Sequence, residues 1–378
     1  KILHCPNTVG GNPSGISRAL NKLGLVSYVI ALKKSIYGYK ADKILFGKND
    51  SFILREFKKI KAIFVIPWKF DVIHYNFGST IFSPPAPVKL GENFLRKLAR
   101  RIYFLYSSTL QILELSMLKA LRRPIFMHYQ GNDARQGSFI RSNFKFSIAT
   151  QVDDAYYNKY TDAFKQKSIE RIANYCENIY ALNPDLLHVL PRGTKFTPYC
   201  HLDLNQWSPK YTQMEKRPLR IGHAPSDRKT KGTQLIIDAL DSLNQSGYRF
   251  EFILIEGLSN EEARKKYETI DVLVDQLFAG WYGGLAVEAM ALGKPVLVYL
   301  REEDFKFVPT KMVEDFPFIR VCPETIRDGL KKLLNMSRSE LLNLGKLSRR
   351  YVENWHDPIR IVGDIKSDYE RALRARLK

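Results

Sequence analysis

The sequence predicts an α/β protein of two domains, each a parallel sheet wrapped by helices. Three observations carry this. Short β-branched runs alternate with helical stretches along most of the chain. A polar stretch without periodicity, YCHLDLNQWSPKYTQMEKRP at 199–218, divides that alternation in two. The 378 residues, 45% of them hydrophobic, suffice for two cores of ordinary size, and no apolar run approaches the ~18 residues of a membrane span.

The elements follow in order. KILHCP opens as a buried strand, GGNPSG at 10–15 is a Gly-rich turn, and SGISRALNKLG has Ile16, Leu20 and Leu23 at helical spacing. Strand-like runs recur at 26–32, 71–76, 124–129 and 178–182, which makes 1–200 the first domain. In the second, 201–358, PLRIGHAPS is a strand and loop, and KGTQLIIDALDSL is a helix with Leu235, Ile236, Ala239, Leu240 and Leu243 facing inward. FEFILIEG is a strand, NEEARKKYETI a helix and DVLVDQ a strand. GGLAVEAMALG is a helix closed by Gly293, and KPVLVYL is a buried strand. From about 338 the tail reads as helices, with Pro358 separating the last two and 359–378 forming the final one.

Several chemistries are excluded by spacing. Cys5, Cys176, Cys200 and Cys322 show no C-x-x-C, and neither H-E-x-x-H nor D-x-D occurs. No dedicated metal site or other cofactor is expected. The four cysteines read as reduced thiols, and the opening KILHCPNTVGG lacks the basic-then-apolar pattern of a signal peptide, so the expected location is the cytoplasm.

Charge is the outlying property. The net charge is +20; residues 1–200 carry 30 Lys and Arg against 13 Asp and Glu, whereas 201–378 carry 29 against 26. The surplus therefore belongs to what the first half meets: nucleic acid, an anionic membrane or an anionic substrate.

In open parallel sheets ligands bind beyond the carboxyl ends of the strands, and four strand-to-helix loops hold the candidate residues. Gly10, Gly11 and Gly15 in the first loop either bring bare backbone to an anion or make a tight turn. In HAPSDRKTKGT, Arg228 and Lys231 stand at a helix start, where cations oppose the macrodipole unless a diphosphate is to be bound. In GWYGGLAVEAMALGKPV, Gly280, Gly283 and Gly284 bare the amides of another helix start. Glu288 follows one turn later as a carboxylate able to grip a ribose diol. In FMHYQGNDAR, His128 leads into a polar loop with Asp133 and Arg135, either catalytic or structural.

In order along the chain, the Gly-rich first loop, H-x-x-G-N-D-x-R, IYALNPDL, R-x-x-K-G and the Glu288 helix with A-x-G-K-P-V resemble the GT-B glycosyltransferases, specifically the retaining family-four type. The resemblance implies two Rossmann-like domains facing each other across a cleft, with the C-terminal helix crossing back to the first domain. It implies that Arg228 and Lys231 bind the diphosphate of a nucleotide sugar and Glu288 its ribose. Amides around Trp281, Tyr282, Gly283 and Gly284 would hold the sugar, with His128 near the reacting centre. The first domain would hold the acceptor, a glycan or a lipid-linked one. The sequence departs from the family pattern at Gly280, where the first glutamate of an E-x7-E pair would stand, and in a shorter Arg-to-Lys spacing.

Residues 89–123 combine basic ends with Leu, Phe and Tyr between. Leu95, Leu98, Ala99, Ile102 and Leu105 share one face, with Arg96, Lys97, Arg100 and Arg101 largely off it. Such a helix either packs in a core or lies on an anionic membrane surface. The expected function is hexosyl transfer from a nucleotide-diphosphate sugar, without a metal ion, in cell-surface polysaccharide or lipopolysaccharide synthesis. The alternatives are an inactive sugar- or nucleotide-binding paralogue and a basic nucleic-acid-binding protein, against which no recognised nucleic-acid module is visible.

Overall fold

A computed structural model describes residues 1–6, 10–35, 38–89, 91–212 and 217–376. Residues 7–9 before the first glycine loop, Leu90 of the basic segment, 213–216 of the expected linker and the last two residues of the expected helix 359–378 lie outside the described residues.

The chain forms two compact units. The first comprises Lys1–Ser138, Asp153–His201 and Pro358–Lys378, and the second Phe139–Val152 and Leu202–Asp357. The sequence reading assigned all of 1–200 to the first domain. Residues 139–152 instead group with the second unit, where Phe144 and the Phe146 carbonyl both meet Arg301.

The first unit holds strands β1 (Ile2–Cys5), β2 (Ser27–Ala31), β3 (Lys43–Ile44), β4 (Val72–Asn76), β5 (Ile125–Tyr129), β6 (Asn178–Ala181) and β7 (Lys195–Phe196). They form one parallel sheet in the order β3-β2-β1-β4-β5-β6-β7. Its helices are α1 (Asn12–Lys22), α2 (Phe52–Lys69), α3 (Phe94–Ala120) and α5 (Lys159–Ala173), and α4 (Gly137–Asn143) leads into the second unit.

A parallel sheet must be covered on both faces, and strand alternation supplies two cores. Leu3, Ile73, Ile125 and Met127 pack with Ile63 and Ile66 of α2, Leu115 and Leu118 of α3, and Ile169 and Ile172 of α5. Ile2, Val72, Phe126 and Tyr180 pack on the opposite face with Ile16 and Leu20 of α1. There the last helix of the chain joins them through Ile361, Val362, Ile365 and Tyr369. That helix is fixed by polar contacts as well: Tyr180 Oη donates to Asp368 at 2.7 Å, and Lys195 Nζ donates to the same carboxylate at 2.6 Å.

The second unit holds β8 (Leu219–His223), β9 (Phe250–Leu254), β10 (Val272–Val274), β11 (Val296–Val298) and β12 (Ile319–Arg320), parallel in the order β12-β11-β10-β8-β9. Its helices are α6 (Arg228–Lys231), α7 (Thr233–Gln245), α8 (Asn260–Thr269), α9 (Gly284–Ala291), α10 (Thr310–Glu314), α11 (Ile326–Leu334) and α12 (Arg338–Trp355). The chain then returns to the first unit as α13 (Pro358–Ala375). Of the inward positions expected on α7, Ile236, Ala239, Leu240 and Leu243 are buried, whereas Leu235 is exposed.

Candidate donor site on the second sheet

Strands β9, β8 and β10 are neighbours, so the loops leaving their carboxyl ends stand side by side. After β8 the chain makes a single helical turn, α6. Asp227 starts it by accepting from the Thr230 amide at 2.8 Å, and Gly232, at φ +78°, ends it before α7. Arg228 and Lys231 thus belong to α6, whereas the sequence reading had them in the loop before one long helix. The left-handed residue at 232 is what splits the two.

Arg228 reaches the loop after β9, donating from Nε to Glu256 at 2.8 Å. That bond holds the Glu256 carboxyl below its usual pKa. Lys231 Nζ donates to Gln276 Oε1, and Gln276 Nε2 donates in turn to the Trp281 carbonyl. One hydrogen-bonded chain therefore runs from the candidate phosphate lysine to the glycine turn after β10. Helix α9 begins at Gly283 with no side-chain cap, leaving its first amides to backbone or ligand partners. Glu288 is buried on α9 and accepts from Asn260 Nδ2, at the start of α8, at 3.3 Å.

The glycine turn is partly committed to its own structure. Gly283 donates its amide to Asp275 Oδ2 at 2.8 Å, so that N–H is already used. Trp281 and Tyr282 were expected among the donor-binding residues. The resemblance gave that role to their amides; their rings stack on each other at 4.7 Å, and Tyr282 Oη lies 3.0 Å from both Tyr351 Oη and His356 Nε2. Both side chains are core, which leaves backbone as their only means of contact.

Gly280 has φ +76°, and a Cβ added there would lie 2.5 Å from the Arg301 guanidinium carbon. Arg301 is itself buried, donating to Asp304 and to the Phe146 carbonyl at 3.0 Å each. The position at which the family pattern has a glutamate is thus shaped for glycine and walled by a cation.

In the first unit the flagged residues bond inward. His128 lies near the end of β5 on the face covered by α1 and α13, in a row of three imidazoles: His4 and His74 are 4.9 Å apart, His74 and His128 5.7 Å. His74 Nδ1 meets Tyr369 Oη of α13. All three rings are fully buried, and burial drives His128 and His4 down to a pKa of about 3. The sequence reading put His128 near a reacting centre. In the structure it has no exposed surface and is a neutral ring of the core.

Asp133 accepts from the amides of Gln130 and Gly131, at 2.9 and 2.5 Å, and so closes its own loop; burial raises its pKa. Arg135 donates from Nε to Asp185 at 2.5 Å in a buried pair that joins the loop after β5 to the segment after β6. Gly15 lies inside α1, and a Cβ there would come within 2.2 Å of the Cys200 carbonyl, so it serves close packing of helix on backbone. Gly11 is the N-cap of α1, closely faced by Tyr39 and His201, and Gly10 precedes it with more room. Of the expected acceptor loop, only Gly10 and Gly11 stand at a helix start.

Sequence reasoning missed Asp275 and Gln276. Both are buried, and among the described residues Asp275 Oδ1 has no hydrogen-bond partner. Their one signal is an acid and an amide directly after the apolar run VLV, at the carboxyl end of a strand.

No protein-family profile matches this sequence, and no curated protein sequence matches it. Solved structures do match. Sucrose-phosphate synthase from Thermosynechococcus elongatus superposes with TM-score 0.59 at 15% identity, covering 99% of both chains. The catalytic domain of starch synthase IV from Arabidopsis thaliana, bound to ADP and acarbose, gives 0.59 at 11% identity, again over 99% of both chains. Anabaena HepE, in complex with UDP-glucose, gives 0.56 at 13% identity over 98% of this chain and 99% of that one. The chain has the GT-B fold: two Rossmann-like α/β domains, the first completed by a returning C-terminal helix.

Proposed function

We propose that this chain is a glycosyltransferase that moves a hexosyl group from a nucleotide-diphosphate sugar to a glycan or lipid-linked acceptor. Retention at the anomeric carbon and independence of metal follow from the resemblance to the family-four enzymes. The reading places the work in cell-surface polysaccharide or lipopolysaccharide synthesis, at the cytoplasmic side of a membrane. The basic segment 89–123 would meet the anionic surface that carries the acceptor.

The observation that carries the reading is the arrangement at the carboxyl edge of the second sheet. Arg228 and Lys231 are bonded to the loops after β9 and β10, and Glu288 to the start of α8. Two cations beside bare helix amides suit a diphosphate that gains negative charge as it leaves. A carboxylate with two oxygens suits a ribose diol. The first unit would hold the acceptor, with the amides near Gly10 and Gly11 as the part of its first loop that can face an anion.

Two structures of this fold hold UDP-glucose and ADP, so UDP- and ADP-sugars head the panel for a test. Stabilisation by one nucleotide sugar, followed by transfer of its labelled sugar to an acceptor extract, is the expected result. No stabilisation by any member overturns the reading. A second reading, a binding paralogue without turnover, is favoured by Gly280 and its Arg301 wall. Stabilisation without release of nucleoside diphosphate would select it.

A further inference from the structure

The sequence reading did not foresee α2, and the apolar face it described on α3 turns outward. Helix α3 buries only its second half, through residues such as Ser107, Gln111, Glu114 and Leu115. Ahead of these, Leu95, Leu98, Ile102 and Leu105 are 46 to 73% exposed. Helix α2 repeats the pattern. Ile53, Phe57, Phe64 and Trp68 fall at i, i+4, i+11 and i+15, one face of the helix, and are 50 to 79% exposed.

The two stripes adjoin. An open trough of about 1070 Å³ lies between the helices, lined by Phe52, Ile53 and Phe57 from α2 and Ala99, Ile102 and Tyr103 from α3. So large an apolar surface calls for a partner. The charges around it choose which one. Lys61, Lys69, Arg96, Lys97 and Arg101 are exposed along the same helices, whereas the nearby acids Glu56 and Glu92 are tied to Lys59 and Arg100. A second copy would bring the same positive surface against this one, whereas anionic lipid complements it. The α2 stripe spans about 22 Å at 1.5 Å per residue, the length of a helix lying flat. Among the described residues, no helix is long and apolar enough to cross a membrane.

We propose that α2 and α3 together dock the chain on an anionic bilayer. The stripe of α2 sinks to the acyl boundary, and the cations of α3 lie on headgroup phosphates. This extends the membrane partner proposed for 89–123 to a two-helix surface in which α2 supplies much of the apolar half. It rests on the proposed function only for what the docking serves.

Flotation of the full chain with vesicles of phosphatidylcholine, alone or mixed with phosphatidylglycerol, tests it. Recovery is expected with the mixed vesicles only. The double variant Phe57→Asp/Trp68→Asp, at two exposed positions, should lower recovery by about tenfold, and Arg96→Glu/Lys97→Glu should do likewise. Equal recovery on both vesicles, or none on either, overturns the proposal. So does a dimer in solution that Phe57→Asp/Trp68→Asp dissolves without any vesicle binding, which would make a second copy the occupant. Stabilisation by nucleotide sugars, measured on the same variants, separates the two readings: vesicle binding without it keeps the docking and loses the transferase, and the reverse keeps the transferase and loses the docking.

Discussion

The loops at the carboxyl edges of the two sheets use charge in opposite ways. In the first unit, Asp133 caps its own loop, Arg135 is sealed against Asp185, and the three imidazoles are stacked in the core. In the second, Arg228 stands exposed on Glu256 and Lys231 bonds a neutral amide, so that both cations lie on the loops a ligand would meet. The same kinds of residue in corresponding loops are therefore architecture in one half and, on the proposed function, recognition in the other. What separates them is burial and the identity of the bonded partner.

The largest effect expected from this contrast is on stability. Arg135→Met leaves Asp185 buried without its cation, which costs about 3–5 kcal/mol. Calorimetry should show a transition lowered by several degrees, while stabilisation by nucleotide sugar persists. Loss of nucleotide-sugar binding without loss of stability would break the contrast.

Acid should act on the first unit next most strongly. His4, His74 and His128 have folded pKa values depressed by burial, to about 3 for His4 and His128. Below pH 6.5 the unfolded chain takes up protons that the folded chain refuses, so stability falls as pH drops from 6.5 towards 3. His4 and His128 each contribute roughly 1 kcal/mol per pH unit across that window, and His74 acts in the same direction. His128→Leu should flatten the dependence of melting temperature on pH between 6.5 and 3; an unchanged slope would mean that the ring is solvated.

In the second unit the readout moves to the ligand. Glu288→Gln or Lys231→Met should weaken nucleotide-sugar binding about tenfold to hundredfold in titration calorimetry, the loss of one charged hydrogen bond. Unaltered affinity would remove these residues from the site. The smallest effect belongs to Arg228→Ala. Its pair with Glu256 is exposed, so the melting temperature should hardly change. Donor affinity should still fall several-fold, and less so in high salt.

Much of the fold was legible in the sequence because strand and helix periods survive in any parallel α/β domain. The runs at 71–76, 124–129 and 178–182 became β4, β5 and β6 within a residue or two. Helix α2 was not legible, because its apolar stripe points to solvent and Pro67 lies within it. The glycine turn and Glu288 stood out because GWYGGLAVE holds them in one local pattern, although Asn260, which bonds Glu288, lies 28 residues away. Arg135 and Asp185 lie 50 residues apart, and no local pattern joins them. His128 could have been placed better: in PIFMHY it shares strand parity with Phe126, the residue that packs beneath α13.

That last helix bears on the order in which the chain can fold during synthesis. In the first unit, one face of the sheet is covered by α1 and, for the rest, by residues after Pro358. Phe126 and His74 lack the cover that Tyr369 gives them while the whole second unit is made. On a ribosome the second unit can reach its native state first, although it is encoded later. A nascent chain stalled before α13 should therefore carry a folded second unit beside an incomplete first one, a substrate for chaperones that bind apolar surface.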